Sequence, residues 1–371
     1  MSALTPLLGD PGVSLTAEDD FVALNQLYLE RGWGDGLPIV PPSVARVEGM
    51  LKYCDRQWNE PIGLLAPRWG EATPWRLAAN AVMAGCRPEY FPLIMLAVEA
   101  MCAKAFNLYG IQATTHLCAP LLIVNGPVAR ELNINAGQNA FGPGRQSNSS
   151  IGRALRLALV NIGGAVPGTG DMATFGSPAK FSYCIAENEA ESPWEPLHVE
   201  RGFAPEVSAV TVVGAEAPHN VNDHESTNAA GVLFMVAGTL ATPGTNDIAY
   251  SGEPVIAFGP EHAATIAREG YSKADARRVL WEHAWVPLGR FSEENIERRM
   301  RLKFPERLGK AGPEARVPVV QTPEDFVLIV VGGAGKHTAV IPTFGVTRSV
   351  TLPLRHRDGR FVGSIHDLRQ T

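Results

Sequence analysis

Apolar residues recur at helical spacing in several parts of the chain, most clearly at 151–162, where they fall every three or four positions on one face. Most other positions of this stretch are apolar too, so we expect a helix that is buried on several sides. Ser149 or Ser150 is expected to cap its first turn, and Gly163-Gly164 to end it. A long loop rich in Gly, Asn and Ser precedes this helix.

The same periodicities predict further elements along the chain. An N-terminal helical arm consists of a loose stretch and an amphipathic helix over 18–31, which has acidic residues in its first turn. The remaining predictions are helices at 44–53 and 73–85, an almost wholly apolar helix after Glu89, a strand within 62–70, a buried strand at 120–124 and a helix at 128–132.

Two segments, 120–132 and 254–266, share one pattern of a proline, an apolar strand, a Gly-Pro turn and a helix. A second pair, 175–182 and 332–338, has a glycine four residues before a lysine and a hydroxyl residue two after it. We therefore predict an internal duplication that gives two similar lobes. Strands alternating with helices indicate an α/β or α+β fold. The predicted boundaries are 1–70 for the arm and first helices, 71–205 for the first lobe and 206–371 for the second.

Composition narrows the class of protein. The 371 residues are 45% hydrophobic and 19% charged, with a net charge of −6, and no basic cluster suggests nucleic-acid binding. No apolar run approaches the roughly 18 residues of a membrane helix, and the N-terminus lacks the features of a signal peptide. Five widely spaced cysteines fit free thiols in a reducing cytoplasm. We expect a cytoplasmic protein, without nucleic-acid or membrane partners, that forms a homo-oligomer.

The polar loop before the 151–162 helix is a candidate site for an anionic substrate. Helix N-termini present unpaired amides and a positive dipole end, and Arg145, Arg153 and Arg156 add positive charge. A connecting loop before a capped core helix is the alternative. The substrate-binding residues that we predict are Asn125, Asn139, Arg145, Ser147, Asn148 and Ser149.

Lys180 and Lys336 are candidate catalytic residues because each follows a glycine-containing bend. A phosphate-binding Walker A loop is excluded, since His337 replaces the hydroxyl residue after the lysine and the next segment resembles a strand. A desolvated lysine can bind a carboxylate or act as a base, and two at matching positions are expected to converge on one cleft. An ordinary surface lysine is the alternative for each.

Histidines and carboxylates supply further candidates. His219 and His224 flank Asp223 in a polar segment that could bind a divalent metal or transfer protons, and that could equally be the polar start of a helix. Glu187 follows a predicted strand and is either a base that reaches the cleft or part of a solvated acidic turn. No other cofactor is indicated.

Two cysteines suggest a thiol alternative. His116 and Cys118 would share a face of a strand, although no third orienting group is identifiable. Cys86 ends a helix beside Arg87, which favours a thiolate, whereas the helix C-terminus opposes it.

Five stretches of the chain stand out together. They are D-G-L-P-I-V-P-P (35–42), N-A-V-M-A-G-C-R-P-E-Y (80–90), F-G-P-G-R-Q-S-N-S-S-I-G-R-A-L-R-L (141–157), G-S-P-A-K-F-S-Y-C-I-A-E-N-E (176–189) and G-G-A-G-K-H (332–337). These stretches resemble the UGSC family, bacterial proteins named for a selenocysteine-Gly-Ser-Cys motif, and the resemblance covers most of 20–345. The chain contains no Cys-Gly-Ser-Cys. It therefore lacks that motif's chemistry, obtains it from a partner subunit, or does something else.

The sequence favours an enzyme that acts on a small polar, anionic substrate in a cleft between two lobes. Lysine and histidine acid–base chemistry of lyase or hydrolase type fits better than hydride transfer, because no dinucleotide-binding glycine motif follows a strand. The alternatives are a thiol-dependent oxidoreductase or redox subunit, and a non-catalytic subunit of a hetero-oligomer.

Overall fold

The computed structural model describes residues 14–370 and has an α/β architecture of four layers. Two four-stranded sheets pack face to face, and helices cover their outer faces. Leu121 and Ile123 of one sheet meet Val255 and Ile329 of the other in the central layer. The alternate side chains of the same strands, such as Leu122, pack against the outer helices. Because successive side chains of a strand point to opposite faces, these apolar strands are buried on both sides.

The strands are, in chain order, β1 (Gly63–Leu65), β2 (Gly70–Ala72), β3 (Ala119–Asn125), β4 (Cys184–Ala186), β5 (Ala209–Ala215), β6 (His219–Asn222), β7 (Val255–Phe258), β8 (Trp285–Pro287), β9 (Arg316–Pro318), β10 (Val327–Val330), β11 (His337–Ile341) and β12 (Val350–Pro353). Sheet 1 has the order β12-β5-β3-β4, and sheet 2 has the order β6-β11-β7-β10. Two small antiparallel two-stranded sheets are formed by β1 with β2 and by β8 with β9.

The two sheets have the same arrangement of strand directions. In sheet 1, β4 is parallel to β3, while β5 is antiparallel to both β3 and β12. In sheet 2, β10 is parallel to β7, while β11 is antiparallel to both β7 and β6. The chain crosses between the sheets twice. It leaves sheet 1 after β5 to form the edge strand β6 of sheet 2, and it leaves sheet 2 after β11 to form the edge strand β12 of sheet 1. This likeness accords with an internal duplication, which itself stays a prediction.

The strand exchange bears on the predicted boundary at 206. β5 and β12 both lie beyond that position, yet both belong to sheet 1 with β3 and β4. The predicted lobes 71–205 and 206–371 therefore do not correspond to the two sheets, because sheet 1 takes strands from both.

The α-helices are α1 (Phe21–Glu30), α2 (Val44–Leu51), α3 (Pro74–Met83), α4 (Phe91–Met101), α5 (Leu108–Ala113), α6 (Pro127–Glu131), α7 (Gln146–Asn161), α8 (Leu197–Glu200), α9 (Ala229–Leu240), α10 (Asn246–Tyr250), α11 (Pro260–Arg268), α12 (Lys273–His283), α13 (Glu293–Asn295), α14 (Arg301–Lys303) and α15 (Pro305–Leu308). A π-helical turn, Ile296–Met300, joins α13 to α14. Helices α3, α4 and α7 cover sheet 1, and α9, α11 and α12 cover sheet 2.

Helix α7 fixes the position of β4. A Cβ atom at Gly152 would lie 2.5 Å from the Tyr183 backbone nitrogen, so only glycine allows the helix to approach this closely. Ile151 and Leu157 are fully buried on the same helix. Burying a side chain of this size contributes about 1.5–3 kcal/mol, which holds α7 against the sheet.

The predicted serine cap of this helix is wrong. α7 begins at Gln146 with Arg145 as its N-cap, so Ser149 and Ser150 lie inside its first turns. The Ser150 hydroxyl donates to the Gln146 carbonyl at 2.7 Å, a bond within the helix. Serine side chains can bond to the backbone carbonyl four residues earlier within a helix. The first turn of α7 is therefore helical although it is polar, and the apolar stripe located the helix but not its start.

The segment at 219–222, considered above as a helix start, is the edge strand β6. Val221 is buried while His219, Asn220 and Asn222 are exposed, and antiparallel pairing with β11 holds the segment extended.

Within the described part of the chain, no single helix is long and apolar enough to cross a membrane. One pair bent by 73°, Pro88–Met101 and Lys104–Ala113, reaches the required length and composition together.

Candidate functional site

A cluster of charged and polar side chains, here called the Asp171 site, lies at the end of sheet 1 where β3 and β4 begin. The segment after α7 runs beside the end of α5, since the Met172 amide donates to the Gln112 carbonyl and the Thr174 amide to the Thr115 carbonyl, at 3.4 and 2.9 Å. The side chains of the site are Gln112, His116, Arg156, Asp171, Lys180 and Glu216.

Asp171 is the centre of this cluster and is only 5% exposed. The Lys180 ammonium donates to both of its carboxylate oxygens at 2.7 Å, and the Arg156 guanidinium donates to Oδ2 at 2.8 Å. Burial acts to raise the pKa of Asp171, but the Lys180 hydrogen bonds and charge, the Ala173 amide and Arg156 outweigh it and lower the pKa. Asp171 is therefore anionic and fixes two cations.

His116 and Glu216 form a second polar pair, and His116 directly follows Thr115, whose carbonyl accepts from the Thr174 amide of the Asp171 segment. The imidazole Nε2 lies 2.5 Å from Glu216 Oε1, and the ring stacks on Phe344 with centroids 5.5 Å apart. The Glu216 carboxylate can only accept, so Nε2 carries the proton in this hydrogen bond. In the neutral imidazole Nδ1 is then an acceptor, oriented by the carboxylate at the opposite nitrogen.

Three buried polar atoms around the site have no hydrogen-bond partner among the described residues. They are Gln112 Nε2, His116 Nδ1 and Ser177 Oγ. Gln112 is 1% exposed, and its other amide atom accepts from Arg156 at 3.4 Å. Because nearly all buried polar groups in proteins are hydrogen-bonded, these three atoms mark unsatisfied hydrogen-bonding capacity in the interior of this region.

The structure does not place the two predicted lysines together. Lys180 lies in a short 3₁₀ turn before β4 of sheet 1, whereas Lys336 lies between β10 and β11 of sheet 2. The Lys336 ammonium donates to the His224 carbonyl at 2.8 Å. Since Lys180 precedes its strand and Lys336 follows the strand that matches it in the other sheet, the two glycine–lysine segments are not equivalent.

The predicted metal residues, His219 and His224, lie at and after the edge strand β6. The His224 ring meets the His337 ring edge-on at 4.9 Å, and His219 is exposed. Over residues 14–370, no group of three or more His, Cys, Asp or Glu side chains could hold a metal ion.

Glu187 and Asn125 do meet, but in a separate, enclosed network. The Asn125 amide donates to Glu187 Oε2 at 2.7 Å, and the Leu197 backbone amide donates to the same oxygen. The Lys273 ammonium lies 4.0 Å from Glu187 Oε1 and 3.2 Å from Glu200 Oε2. Burial raises the pKa of Glu187 more strongly than Lys273 lowers it. This network ties the carboxyl ends of β3 and β4 to helix α12.

The polar loop before α7 is held by its own amide side chains. Asn148 bonds to both backbone groups of Asn135 and donates to the Cys184 carbonyl at 3.0 Å. The Asn139 amide donates to the Pro143 carbonyl at 2.9 Å, and the Ser147 hydroxyl to the Asn133 carbonyl at 2.8 Å. Asn139, Ser147 and Asn148 therefore shape the loop.

Two small cavities flank the first turn of α7. One of about 190 Å³ is lined by Arg145, Ser147 and Arg87, together with the acidic Glu89 and Glu131. The other, of about 230 Å³, is lined by Ser149 and Asn148 and by aromatic rings, Phe141, Phe181 and Tyr183. Carboxylates in the first cavity offset its arginines.

The other two arginines of this region are bound elsewhere. The Arg153 guanidinium makes two hydrogen bonds to the Asp35 carboxylate, at 2.7 and 2.8 Å, and Arg156 binds Asp171. The expectation that Arg153 and Arg156 add charge at the helix N-terminus is therefore wrong.

The cysteines of the thiol alternative are buried. Cys118 is 1% exposed, and burial raises the pKa of its thiol to about 12. Burial also raises the pKa of Cys86 to about 12. The thiolate is the reactive form, so neither environment favours a nucleophile.

Sequence reasoning singled out Lys180 and His116 but missed their partners. His116 and Glu216 are 100 positions apart, and Asp171 lies in a Gly- and Pro-containing loop typical of turns. Only the pairing of β3 with β5 brings the segments before and after these strands together.

Comparisons of the chain with protein-family models, curated proteins and solved structures found no match.

Proposed function

We propose that the chain is an enzyme that performs proton transfer on a small anionic substrate, of lyase or hydrolase type, at the Asp171 site. The observation that carries this proposal is a fixed ammonium, Lys180 on Asp171, and a carboxylate-oriented imidazole, His116 on Glu216, in segments joined by the Thr174–Thr115 backbone bond. Such pairs of titratable groups in different surroundings are the usual means of acid–base catalysis.

Each group has a distinct role in this proposal. Lys180 attracts a substrate carboxylate, and the Gln112 amide donates to one of its oxygens. His116 Nδ1 accepts a proton from the substrate carbon or from an attacking water, while Glu216 stabilises the imidazolium that forms. Arg156 and Asp171 keep Lys180 in place and do not exchange protons.

A direct test is turnover by the purified chain on a panel of small hydroxy-, keto- and amino-carboxylates, followed by NMR in deuterated water. Removal of the His116 imidazole in His116→Ala is expected to lower kcat by about 10²–10⁴. Lys180→Ala is expected to raise KM or abolish turnover, while the exposed Lys310→Ala serves as the charge-matched control. Full activity of both site variants would contradict the proposal.

We also propose, from the stretches quoted above, that the chain is related to the UGSC family. The raised thiol pKa values of Cys86 and Cys118 weigh against a thiol oxidoreductase built on this chain alone. A redox or non-catalytic subunit would need a second chain. Turnover by the isolated chain would support the enzyme proposal. Turnover only in the presence of a co-purified subunit would support a redox or non-catalytic subunit instead.

A further inference from the structure

A cavity of about 380 Å³, here called the Arg299 pocket, lies between the segment 243–250 and the chain at 290–300. Its wall includes the π-helical turn Ile296–Met300. Such turns are rare and are found frequently at functional sites. The pocket shares no lining residue with the Asp171 site.

The lining of the Arg299 pocket is basic and polar. Arg290 and Arg299 both line it, and none of the described lining residues is acidic. Within residues 14–370, neither guanidinium forms an ion pair with a carboxylate, in contrast to Arg153 and Arg156. Its neutral polar lining residues are Thr245, Asn246, Tyr250, Ser292 and Asn295. The pocket thus combines uncompensated positive charge with hydrogen-bond donors.

Arg299 is also held in place. Its guanidinium carbon lies 4.5 Å from the centroid of the Tyr250 ring, a cation–π contact that limits the freedom of the side chain. Lys303 lies over the same ring at 5.4 Å. Burial, and then the Arg299 charge, lower the pKa of Lys303, which indicates that positive charge accumulates here. An arginine fixed before binding loses less entropy when a ligand arrives.

We propose that the Arg299 pocket binds a small oxyanion with two or more negative charges, either a phosphate compound or a di- or tricarboxylate. Arg290 and Arg299 would donate charge-assisted hydrogen bonds to its oxygens, in the forked geometry that suits both chemistries. The Asn246 and Asn295 amides and the Ser292 hydroxyl complete the donor set.

The test is titration calorimetry of the full-length chain at low salt, with inorganic pyrophosphate and citrate as separate probes. We expect at least one probe to bind, and the one that binds identifies the source of the oxyanion. Arg299→Ala and the exposed Arg290→Ala should each weaken this binding about tenfold or more. Arg298→Ala removes the same charge from the same π-helical turn, outside the pocket, and should leave the affinity unchanged.

Two results would overturn this inference. One is the absence of binding of either probe to the wild-type chain. The other is an equal loss of affinity in all three arginine variants, which would show only a general effect of net charge. Circular dichroism of each variant checks that it is folded. Turnover at the Asp171 site is not the readout, so the two proposals succeed or fail separately.

Discussion

At the scale of a single residue, Asp171 sets the charge balance of the proposed catalytic site. It is a buried carboxylate that compensates two cations, Lys180 and Arg156. Removing one partner of a buried ion pair leaves an uncompensated charge, which costs more than the pair itself contributes.

We predict that Asp171→Ala lowers the free energy of unfolding by about 3–5 kcal/mol, because it leaves both Lys180 and Arg156 without their anion. Urea unfolding at neutral pH measures this loss. The exposed Asp358→Ala, which also removes a carboxylate from an arginine, should have little effect on the unfolding midpoint. Similar midpoints for the two variants would contradict the central position given to Asp171.

Asp247 is a second buried carboxylate, 1% exposed, that makes the fold sensitive to pH. It accepts hydrogen bonds from the amide and hydroxyl of Thr343 and from the Thr245 hydroxyl. Burial, reinforced by the charge of Glu216, raises its pKa from 3.8 to about 7 despite these bonds. The folded chain therefore keeps a proton that the unfolded chain releases.

The Asp247 contribution to stability should consequently fall as pH rises from about 4 to about 7, because at this site the unfolded state binds fewer protons in this range. The Asp247 contribution amounts to about 4 kcal/mol over that range. Asp247→Asn keeps the shape of the side chain but cannot ionise, so its unfolding free energy should lack this slope. Urea unfolding at several pH values compares the two, and parallel pH profiles would refute the assignment.

How far the sequence identifies the site differs from residue to residue. Lys180 stands out because a glycine bend and a strand surround it, and His116 because it lies two residues before Cys118. Asp171 and Glu216 carry no such local signal, because their roles arise from contacts across 9 and 100 positions. The prediction that Lys180 and Lys336 share a cleft relied on similar glycine–lysine spacing. In the structure Lys180 precedes its strand in sheet 1, whereas Lys336 follows its strand in sheet 2.

At the scale of elements, helix α12 is attached to sheet 1 by a buried lysine. Lys273 is 1% exposed and donates to Glu200 at the end of α8 at 3.2 Å. Arg277, one turn later, also pairs with Glu200. These contacts connect a helix of the sheet 2 side to the chain that follows β4.

We predict that Lys273→Met and Glu200→Gln each destabilise the fold, by roughly 3 kcal/mol for Lys273→Met. The double variant should lose less than the sum of the two, with a coupling of about 1 kcal/mol or more, because both single changes remove the same Lys273–Glu200 ion pair. A double-mutant cycle by urea unfolding measures this coupling. Simple additivity would show that the two side chains do not interact.

The periodic pattern predicted the apolar elements well, because burial on a regular helix or strand repeats in the sequence. The stripe of α7, the strand β3 and the apolar helix α4 all lie where expected. The start of α7 and the strand β6 were not predicted correctly. Both are polar, and their conformations depend on the loop and the neighbouring strand that they contact.

At the scale of the whole molecule, the exchange of β6 and β12 joins the two sheets. β12 comes from the end of the chain and pairs with β5, so sheet 1 is complete only when the C-terminal region is present. The local sequence of β12 cannot show this, since strand partners are set by tertiary contacts.

We therefore predict that a chain ending at residue 345 loses the order of both sheets, although the deletion removes a strand of sheet 1 only. Full-length protein should unfold in one transition, with circular dichroism and tryptophan fluorescence giving the same midpoint. Two separate transitions, or a truncated chain that keeps native fluorescence, would show that the sheets are independent.

The most direct test of the central claim is a crystal structure of the chain soaked with a small dicarboxylate. We predict density for a carboxylate within hydrogen-bond reach, about 2.7–3.2 Å, of Lys180 Nζ, with the rest of the molecule beside His116 Nδ1. Density only at the α7 N-terminus or in the Arg299 pocket, with the Asp171 site unchanged, would contradict the assignment of catalysis to Lys180 and His116.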